Sequence, residues 1–421
     1  MASLGKSWVD NIPAPVLKQC YLTPMFEGIK IVELAQWVFV PAAGAVFSNL
    51  GAEVVKIERL GGGDPLRGLF TASLGQQSGQ YNPRVEQNNS GKKSLAIDIG
   101  TAEGLEILFR LIEQADVFLT NFRSSTLTRY RLDVDGVRAR NPRVIYARGH
   151  GFGARGRHAN RPGYDASAFW ARGGVGATLT TADATDPVAM RPAFGDHTAA
   201  MNLAFGVAAA LYKRERTGEP SVVDTSLLAT AMWTLSSDVL SAFNPGYVGG
   251  AATRAPQQSP LAGTFKTADG RWIALVFMEP DRYWDPFCRH IGRDDLAVDE
   301  RFREGGARTQ NARECLAILG EVFASRDYED WRRIVAELDA PWEPMQSVKD
   351  LYDDEQVLAN GYLPTINDRD DHVVAVPTQF DGELETPERA PEYGEHTEQV
   401  LLDLGLDWDD LAKLKDAKVI L

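Results

Sequence analysis

The chain has 421 residues, 44% of them apolar and 24% charged, the balance of a soluble globular protein long enough for two domains. Lys and Arg total 44 against 58 Asp and Glu, a formal net charge of −14, which argues against general nucleic-acid binding because phosphate contact needs a basic face. A few cations focused in one cleft can still hold an anionic small ligand.

In chain order, a Pro-punctuated arm precedes residues 29–34 (IKIVEL), short, apolar and β-branched, which predict a buried strand. Residues 41–50 predict a helix and 52–58 (AEVVKIE) a second strand. Asp98 and Thr101 offer an N-cap to a helical period over 103–114, followed by strands at 116–120 (DVFLT) and 143–148 (RVIYAR). Strand, helix and strand in succession predict a parallel sheet covered on both faces, so the first 150 residues read as a doubly wound α/β domain. Gly-rich passages follow at 149–156 (GHGFGARG) and 161–176, then a long Ala- and Leu-rich helix over 197–216, closed by Thr217 and Gly218. Residues 222–226 (VVDTS) lead into another helix through Leu240. Around 243–260 the composition shifts to Gly, Ala, Pro and Gln, a crossing between domains. Residues 263–277 predict a hairpin turning at Asp269-Gly270, helical segments run on to Leu338, and 394–421 return to helix.

Several chemistries find no support. Cys20, Cys288 and Cys315 stand in no paired spacing, so neither a disulfide framework nor a Cys/His metal site is expected. None of the six histidines (His150, His158, His197, His290, His372, His396) forms H-x-x-x-H, and no G-x-S-x-G elbow occurs. The N-terminal residues lack the apolar core of a signal peptide, and the stretches 199–212 and 227–240 are too short or too interrupted to span a bilayer. The expected compartment is the cytoplasm, with no membrane partner.

Three features could carry chemistry. Residues 60–68 (LGGGDPLRG) follow a strand, where glycines let backbone N–H groups approach a phosphate, yet they do not fit G-x-G-x-x-G. Arg59, Arg67, Lys92, Lys93, Arg123 and Arg129 lie near predicted strand ends, where α/β folds gather ligands; they read either as an anion site or as solvated charges. Asp196 stands at the head of the long helix. It reads as a capping carboxylate, or as a nucleophile kept ionised by the helix N-terminus and left open by Gly195.

Taken in order, these segments resemble the class III CoA-transferase family, which includes formyl-CoA transferase, carnitine CoA-transferase and the α-methylacyl-CoA racemases. Residues 28–59 resemble the family's first strand–helix–strand; 91–98 (GKKSLAID), 121–123 (NFR), 141–153 (NPRVIYARGHGFG), 162–165 (PGYD), Gly195-Asp196, 213–218 (KRERTG), 267–273 (TADGRWI) and 394–405 (GEHTEQVLLDLG) follow in the family's order. The resemblance implies that Asp196 attacks an acyl-CoA thioester to give a mixed anhydride, then an aspartyl-CoA thioester from which an acceptor acid takes the CoA. It implies that Arg59 and Arg129 hold the CoA nucleotide, that Ile97-Asp98-Ile99 and Asn121-Phe122-Arg123 contact CoA, and that Tyr164 lies beside the pantetheine. Cations suit such a ligand through charge-assisted bonds to its phosphates. Coenzyme A and acyl-CoA would be substrates, a carboxylic acid the acceptor, and no cofactor would be tightly bound. The implied fold is α/β: a Rossmann-like large domain from residues 1–245 and 350–421 and a small α+β domain from 260–345, in a homodimer of two interlocked copies.

Two departures narrow the expectation. Racemases of this superfamily carry a His where Tyr164 stands, and a tyrosine is a poor proton acceptor near neutral pH, which counts against a racemase or isomerase. Formyl-CoA transferase holds its acyl group with a Gln at the position of Val38 and closes a glycine run over the site, whereas the comparable glycines here are Gly249-Gly250. Trp37, Val38 and Phe39 suggest a larger, apolar acyl group instead. From other classes, a nicotinamide dehydrogenase lacks its phosphate-loop fingerprint, and a non-catalytic CoA-binding protein stays as the alternative.

Overall fold

The structure, a computed structural model, describes residues 24–68, 82–181, 184–247, 259–366, 371–383 and 386–421. The apolar runs form β1 (Lys30–Leu34), β2 (Glu53–Glu58), β3 (Lys93–Ala96), β4 (Val117–Thr120), β5 (Ile145–His150) and β6 (Val222–Ser226). All pair in parallel, in the order β3–β2–β1–β4–β5–β6. Helices α1 (Phe39–Asn49), α2 (Pro83–Asn89), α3 (Ala102–Glu113), α4 (Ser124–Arg129) and α5 (Val134–Arg140) connect the first five strands. β3 and β6 are the strands that the sequence did not declare: each is an edge strand, β3 of only four residues and β6 half-exposed along its length.

Successive side chains of β1 point to opposite faces of the sheet. Ile31 joins a core with Phe39, Ala43 and Phe47 of α1, whereas Val32 and Leu34 join a second core with Ile107, Leu108 and Ile112 of α3. The first core is closed by α7 (Phe194–Thr217), which follows the short helix α6 (Val175–Leu179). Ala199, Ala200, Leu203, Ala204, Val207, Ala210 and Leu211 recur at helical spacing on its buried face. Truncating Leu203, which is fully buried, would cost about 2–5 kcal/mol. Gly218 ends α7 in the left-handed region (φ 75°), as the sequence predicted. Thr101, not Asp98, caps α3: its hydroxyl accepts from the Gly104 N–H at 3.1 Å, while Asp98 accepts from Gly100.

Beyond β6 come α8 (Leu227–Thr234) and α9 (Ser236–Ser241). A separate antiparallel sheet follows, β7 (Ala262–Lys266), β8 (Trp272–Val276) and β9 (Trp342–Pro344), with the first two joined by the expected turn at Gly270 (φ 85°). Helices α10 (Pro280–His290), α11 (Asp294–Val298), α12 (Gly305–Gln310), α13 (Ala312–Phe323) and α14 (Tyr328–Glu337) complete an aromatic core around Trp284, Phe287, Phe323, Trp331 and Trp342. After α15 (Glu355–Ala359), α16 (Thr397–Asp403) and α17 (Trp408–Asp416) return to the first unit. There Leu401, Leu411 and Ile420 enter the α3 core, and the Asp98 N–H donates to the Val419 carbonyl at 2.8 Å.

A buried ionic cluster lies under the loop that follows β1. Glu33 receives Lys56 at 3.0 Å and Lys92 at 2.8 Å, and Lys56 also meets Asp64 at 2.9 Å. Lys92 donates further to the Pro41 and Asn88 carbonyls. A Cβ on Gly44 would fall 2.0 Å from a Glu33 oxygen, so the cluster needs glycine there. Next to it, Glu58 accepts from Arg67 at 2.7 and 2.9 Å, from Ser94 and from the Asp64 N–H. Lys92 and Arg67 are therefore committed to internal carboxylates rather than to a ligand. Lys93 forms a surface pair with Glu53 at 3.1 Å.

Candidate active site

In this strand order the chain leaves β1 towards β2 on one side and returns to β4 on the other. The two loops part at the C-terminal ends of β1 and β4, and a crevice is left between them. A cavity of about 380 Å³ opens there, lined by Gln36 and Trp37 after β1, Asn121, Phe122 and Arg123 after β4, His150 at the end of β5, Tyr164, and Asp196 of α7. A reciprocal amide pair joins the two loops: Asn121 Nδ2 donates to the Gln36 carbonyl at 2.6 Å, and the Gln36 N–H to Asn121 Oδ1 at 3.1 Å. Trp37 takes a left-handed backbone (φ 71°), a strained conformation for a bulky residue. Asp64 of the ionic cluster holds it there by accepting its N–H at 3.1 Å, and its ring stands edge-on to Tyr164 at 5.8 Å.

The head of α7 is built differently from the expected cap. Its N-cap is Ala193, itself left-handed (φ 63°), and Asp196 lies within the first turn. The capping acceptor is Asp165, 5% exposed and first in the π-helical turn Asp165–Ala171; it accepts the Gly195 N–H at 3.1 Å. A Cβ on Gly195 would fall 2.2 Å from the Phe169 ring and 2.5 Å from Asp165, so glycine is required. The Asp196 carboxylate is thus spared from capping, and it makes no hydrogen bond to another described residue. Burial, with the charge of Asp165 added, pushes it up to about 7. This corrects the expectation that the helix N-terminus keeps it firmly ionised: desolvation and a neighbouring carboxylate outweigh the helix dipole. His197 is engaged elsewhere, its Nε2 3.0 Å from Asn88 Oδ1.

Of the residues singled out from sequence, Asn121, Phe122, Arg123, Tyr164 and Asp196 line this cavity. Val38 does not: it is buried against Leu66, Val85 and Ala390, while its neighbours Gln36, Trp37 and Phe39 face the cavity. Arg59 follows β2, Ile97-Asp98-Ile99 follow β3, and Arg129 ends α4, all outside the cavity. Because the strands are parallel, Ile97–Ile99, Arg59, Gln36-Trp37 and Asn121–Arg123 succeed one another along a single edge of the sheet. Arg59, Arg123 and Arg129 have no ion pair among the described residues; Arg59 donates to the Gly63 carbonyl. Gly249-Gly250 lie outside the described residues. Asp165 and His150 were missed as site residues, although both fall in the quoted segments PGYD and GHGFG. No group of three His, Cys, Asp or Glu among the described residues could hold a metal, and no helix there is long and apolar enough to cross a membrane.

Comparison with known proteins agrees with this architecture. The family model described as CoA-transferase family III matches residues 26–397. The chain is 33% identical to (R)-2-hydroxy-4-methylpentanoate CoA-transferase of Clostridioides difficile, over 94% of this chain and 99% of that protein. It is 33% identical to cinnamoyl-CoA:phenyllactate CoA-transferase of Clostridium sporogenes, over 95% and 98%. The crystal structure of a CAIB/BAIF family protein from Brucella suis superposes with a TM-score of 0.78 at 28% identity, covering 90% of this chain and 98% of that one. A six-stranded parallel sheet, a carboxylate in its switch-point crevice and a match over nearly the whole chain meet in one conclusion: the chain belongs to CoA-transferase family III.

Proposed function

We propose that this enzyme moves CoA from an acyl-CoA to a carboxylic acid through covalent intermediates on Asp196. The observation that carries the reading is the Asp196 carboxylate itself: in the crevice, free of hydrogen bonds to described residues, and with a basicity raised to about 7. A more basic carboxylate is a better nucleophile once ionised. An Asp196 oxygen adds to the thioester carbonyl, the C–S bond breaks, and CoA leaves as the thiolate, giving a mixed anhydride. The thiolate then attacks Cγ of Asp196, expelling the donor's carboxylate and leaving an aspartyl-CoA thioester. The acceptor carboxylate attacks that carbonyl and displaces the thiolate again. The thiolate's attack on the acceptor's acyl carbon yields the new acyl-CoA and regenerates Asp196. No water, electron or net proton is consumed.

The edge of the sheet running from Ile97–Ile99 past Arg59 to Asn121–Arg123 supports an extended, anionic ligand such as CoA, with Arg129 beyond it. The acceptor is proposed to be a 2-hydroxy acid, because the names of two relatives carry 2-hydroxy-4-methylpentanoate and phenyllactate. Residues 1–245 with 350–421 would form the CoA-binding domain and 260–345 the small one, supported by their separate cores. An interlocked homodimer is supported by apolar side chains left bare on α7, on α9 and just beyond it: Tyr212, Leu240 and Phe243 are 67%, 66% and 83% exposed. Activity in the cytoplasm, with no tightly bound cofactor, completes the proposal.

Intact-protein mass spectrometry after incubation with a panel of acyl-CoAs, then hydroxylamine trapping and peptide mapping, tests it. An adduct on Asp196 is expected. Tight CoA binding with no adduct from any donor would overturn the mechanism, and deuterium exchange at the acyl α-carbon would then point to the racemase reading.

A further inference from the structure

His150 ends β5 with a place in the wall of the cavity that holds Asp196, and the transfer steps give it no part. Its Nε2 lies 2.9 Å from Asp224 Oδ1. The sheet register builds this pair: Arg148 stands opposite Asp224 across β5 and β6, and His150 follows two residues on, on the same face. Arg148 grips both oxygens of Asp224, at 2.8 and 3.1 Å. Burial opposes ionisation of Asp224, but the bonds from His150 and Arg148 hold it at about 2. Asp224 is therefore a carboxylate, able only to accept, and the proton between them sits on Nε2. With Nε2 given to Asp224, Nδ1 is the ring nitrogen left for a ligand. Nδ1 has no hydrogen-bond partner among the described residues.

A hydroxyl, which both donates and accepts, can pair with Nδ1, whereas carboxylates and thioesters can only accept. His150 also borders a second cavity of about 640 Å³, whose wall includes Phe152, Phe205 and Trp233. The His150 ring thus stands between the cavity of the reacting carboxylate and a recess walled by these aromatic side chains together with Arg155, Asn202 and Thr230.

We propose that His150, oriented by Asp224, accepts a hydrogen bond from the 2-hydroxyl of the acceptor acid, while the acid's apolar substituent runs towards the second cavity. This rests on the transferase reading above. In a 2-hydroxy acid the hydroxyl sits on the carbon next to the carboxyl carbon, so a group in the same cavity wall can meet it without touching the reacting atoms. His150 then decides which acid is accepted and leaves the acyl transfer to Asp196.

The test compares kcat/KM for 2-hydroxy-4-methylpentanoate and 4-methylpentanoate with one common acyl-CoA donor, in the full chain, His150→Leu and His150→Asn. The wild type should prefer the hydroxy acid. His150→Leu should lower kcat/KM for it by about 10–100-fold and leave the deoxy acid within about threefold, since an unmade hydrogen bond costs that much discrimination. His150→Asn, whose amide oxygen can stand near the position of Nδ1, should recover part of the preference. The Asp196 adduct read by mass spectrometry should form equally in all three. An intact adduct with an unchanged acceptor ratio, or an equal loss for both acids, overturns the role of His150 alone. No adduct and no turnover in the wild type would overturn the transferase reading and this inference together.

Discussion

Glu58 is buried and Asp196 half-buried, and they are held at opposite ends of the carboxylate range, about 2 and about 7. Burial raises each. At Glu58 the forked guanidinium of Arg67, the charge of Lys56 and the Ser94 hydroxyl override it. At Asp196 the nearest charge is another carboxylate, Asp165, and the effects add. One side of the switch point therefore spends its lysines and arginine on neutralising buried acids, and the other leaves its acids uncompensated. The first arrangement builds a rigid floor beneath Trp37; the second produces a reactive group. Uncompensated acids of this kind concentrate where chemistry is done.

The comparison can be broken at several points. Asp196→Asn should abolish CoA transfer, by about 10⁴-fold or more in kcat, with CoA affinity and fold retained; steady-state rates and a far-UV spectrum check both. Glu33→Gln leaves Lys56 and Lys92 buried without their shared carboxylate and should destabilise the fold by about 3–5 kcal/mol, read as a shift in the urea midpoint at constant slope. The pH dependences should run in opposite directions. The Asp196 pKa is raised by folding, so ionisation opposes the native state. Stability should fall as pH rises through the span between the ordinary carboxylate value and about 7, and Asp196→Asn should flatten that slope. The Glu58 pKa is depressed, so its contribution is complete above the ordinary range and is lost as pH falls towards about 2. Activity needs ionised Asp196, so kcat/KM should climb about tenfold per pH unit below 7 and level off above it. Asp165→Asn removes the like charge and should move that midpoint down, although it also weakens the cap of α7; an unmoved midpoint in a folded variant would contradict the coupling. The smallest effect belongs to Arg140, whose pairs with Glu106 and Glu113 are exposed: Arg140→Ala should cost less than about 1 kcal/mol.

How far the sequence declared this molecule depended on the range of the interactions involved. β1, β2, β4 and β5 were legible because each carries a short apolar, β-branched stretch, interrupted in β1 and β2 by the charges of the buried cluster. β3 and β6 were not, since short edge strands take their definition from a neighbour, here β2 and β5. Asp196 could be picked out, but not its ionisation: the residue that caps α7 lies 30 positions earlier, at Asp165. Arg67 and Lys92 looked like ligand-binding cations because nothing local predicts that Glu58 and Glu33 will be folded against them. Val38 lies outside the cavity for a smaller reason. At the start of α1 a shift of one residue turns a side chain from the cavity wall, where Gln36, Trp37 and Phe39 stand, into the packing against Leu66 and Val85.

The seating of Val419 and Ile420 against the end of β3 has a consequence in time. A ribosome delivers β1 to α3 early, but the apolar face that α3 shares with β1 is covered in part by Leu401, Leu411 and Ile420, which emerge only after β6, α7 and the whole antiparallel sheet have been made. Until then Ile107, Leu108 and Ile112 lack part of their cover, and the nascent chain offers a standing target to chaperones. A message cut short before residue 397 would on this account yield not a slightly trimmed enzyme but a substrate for proteolysis.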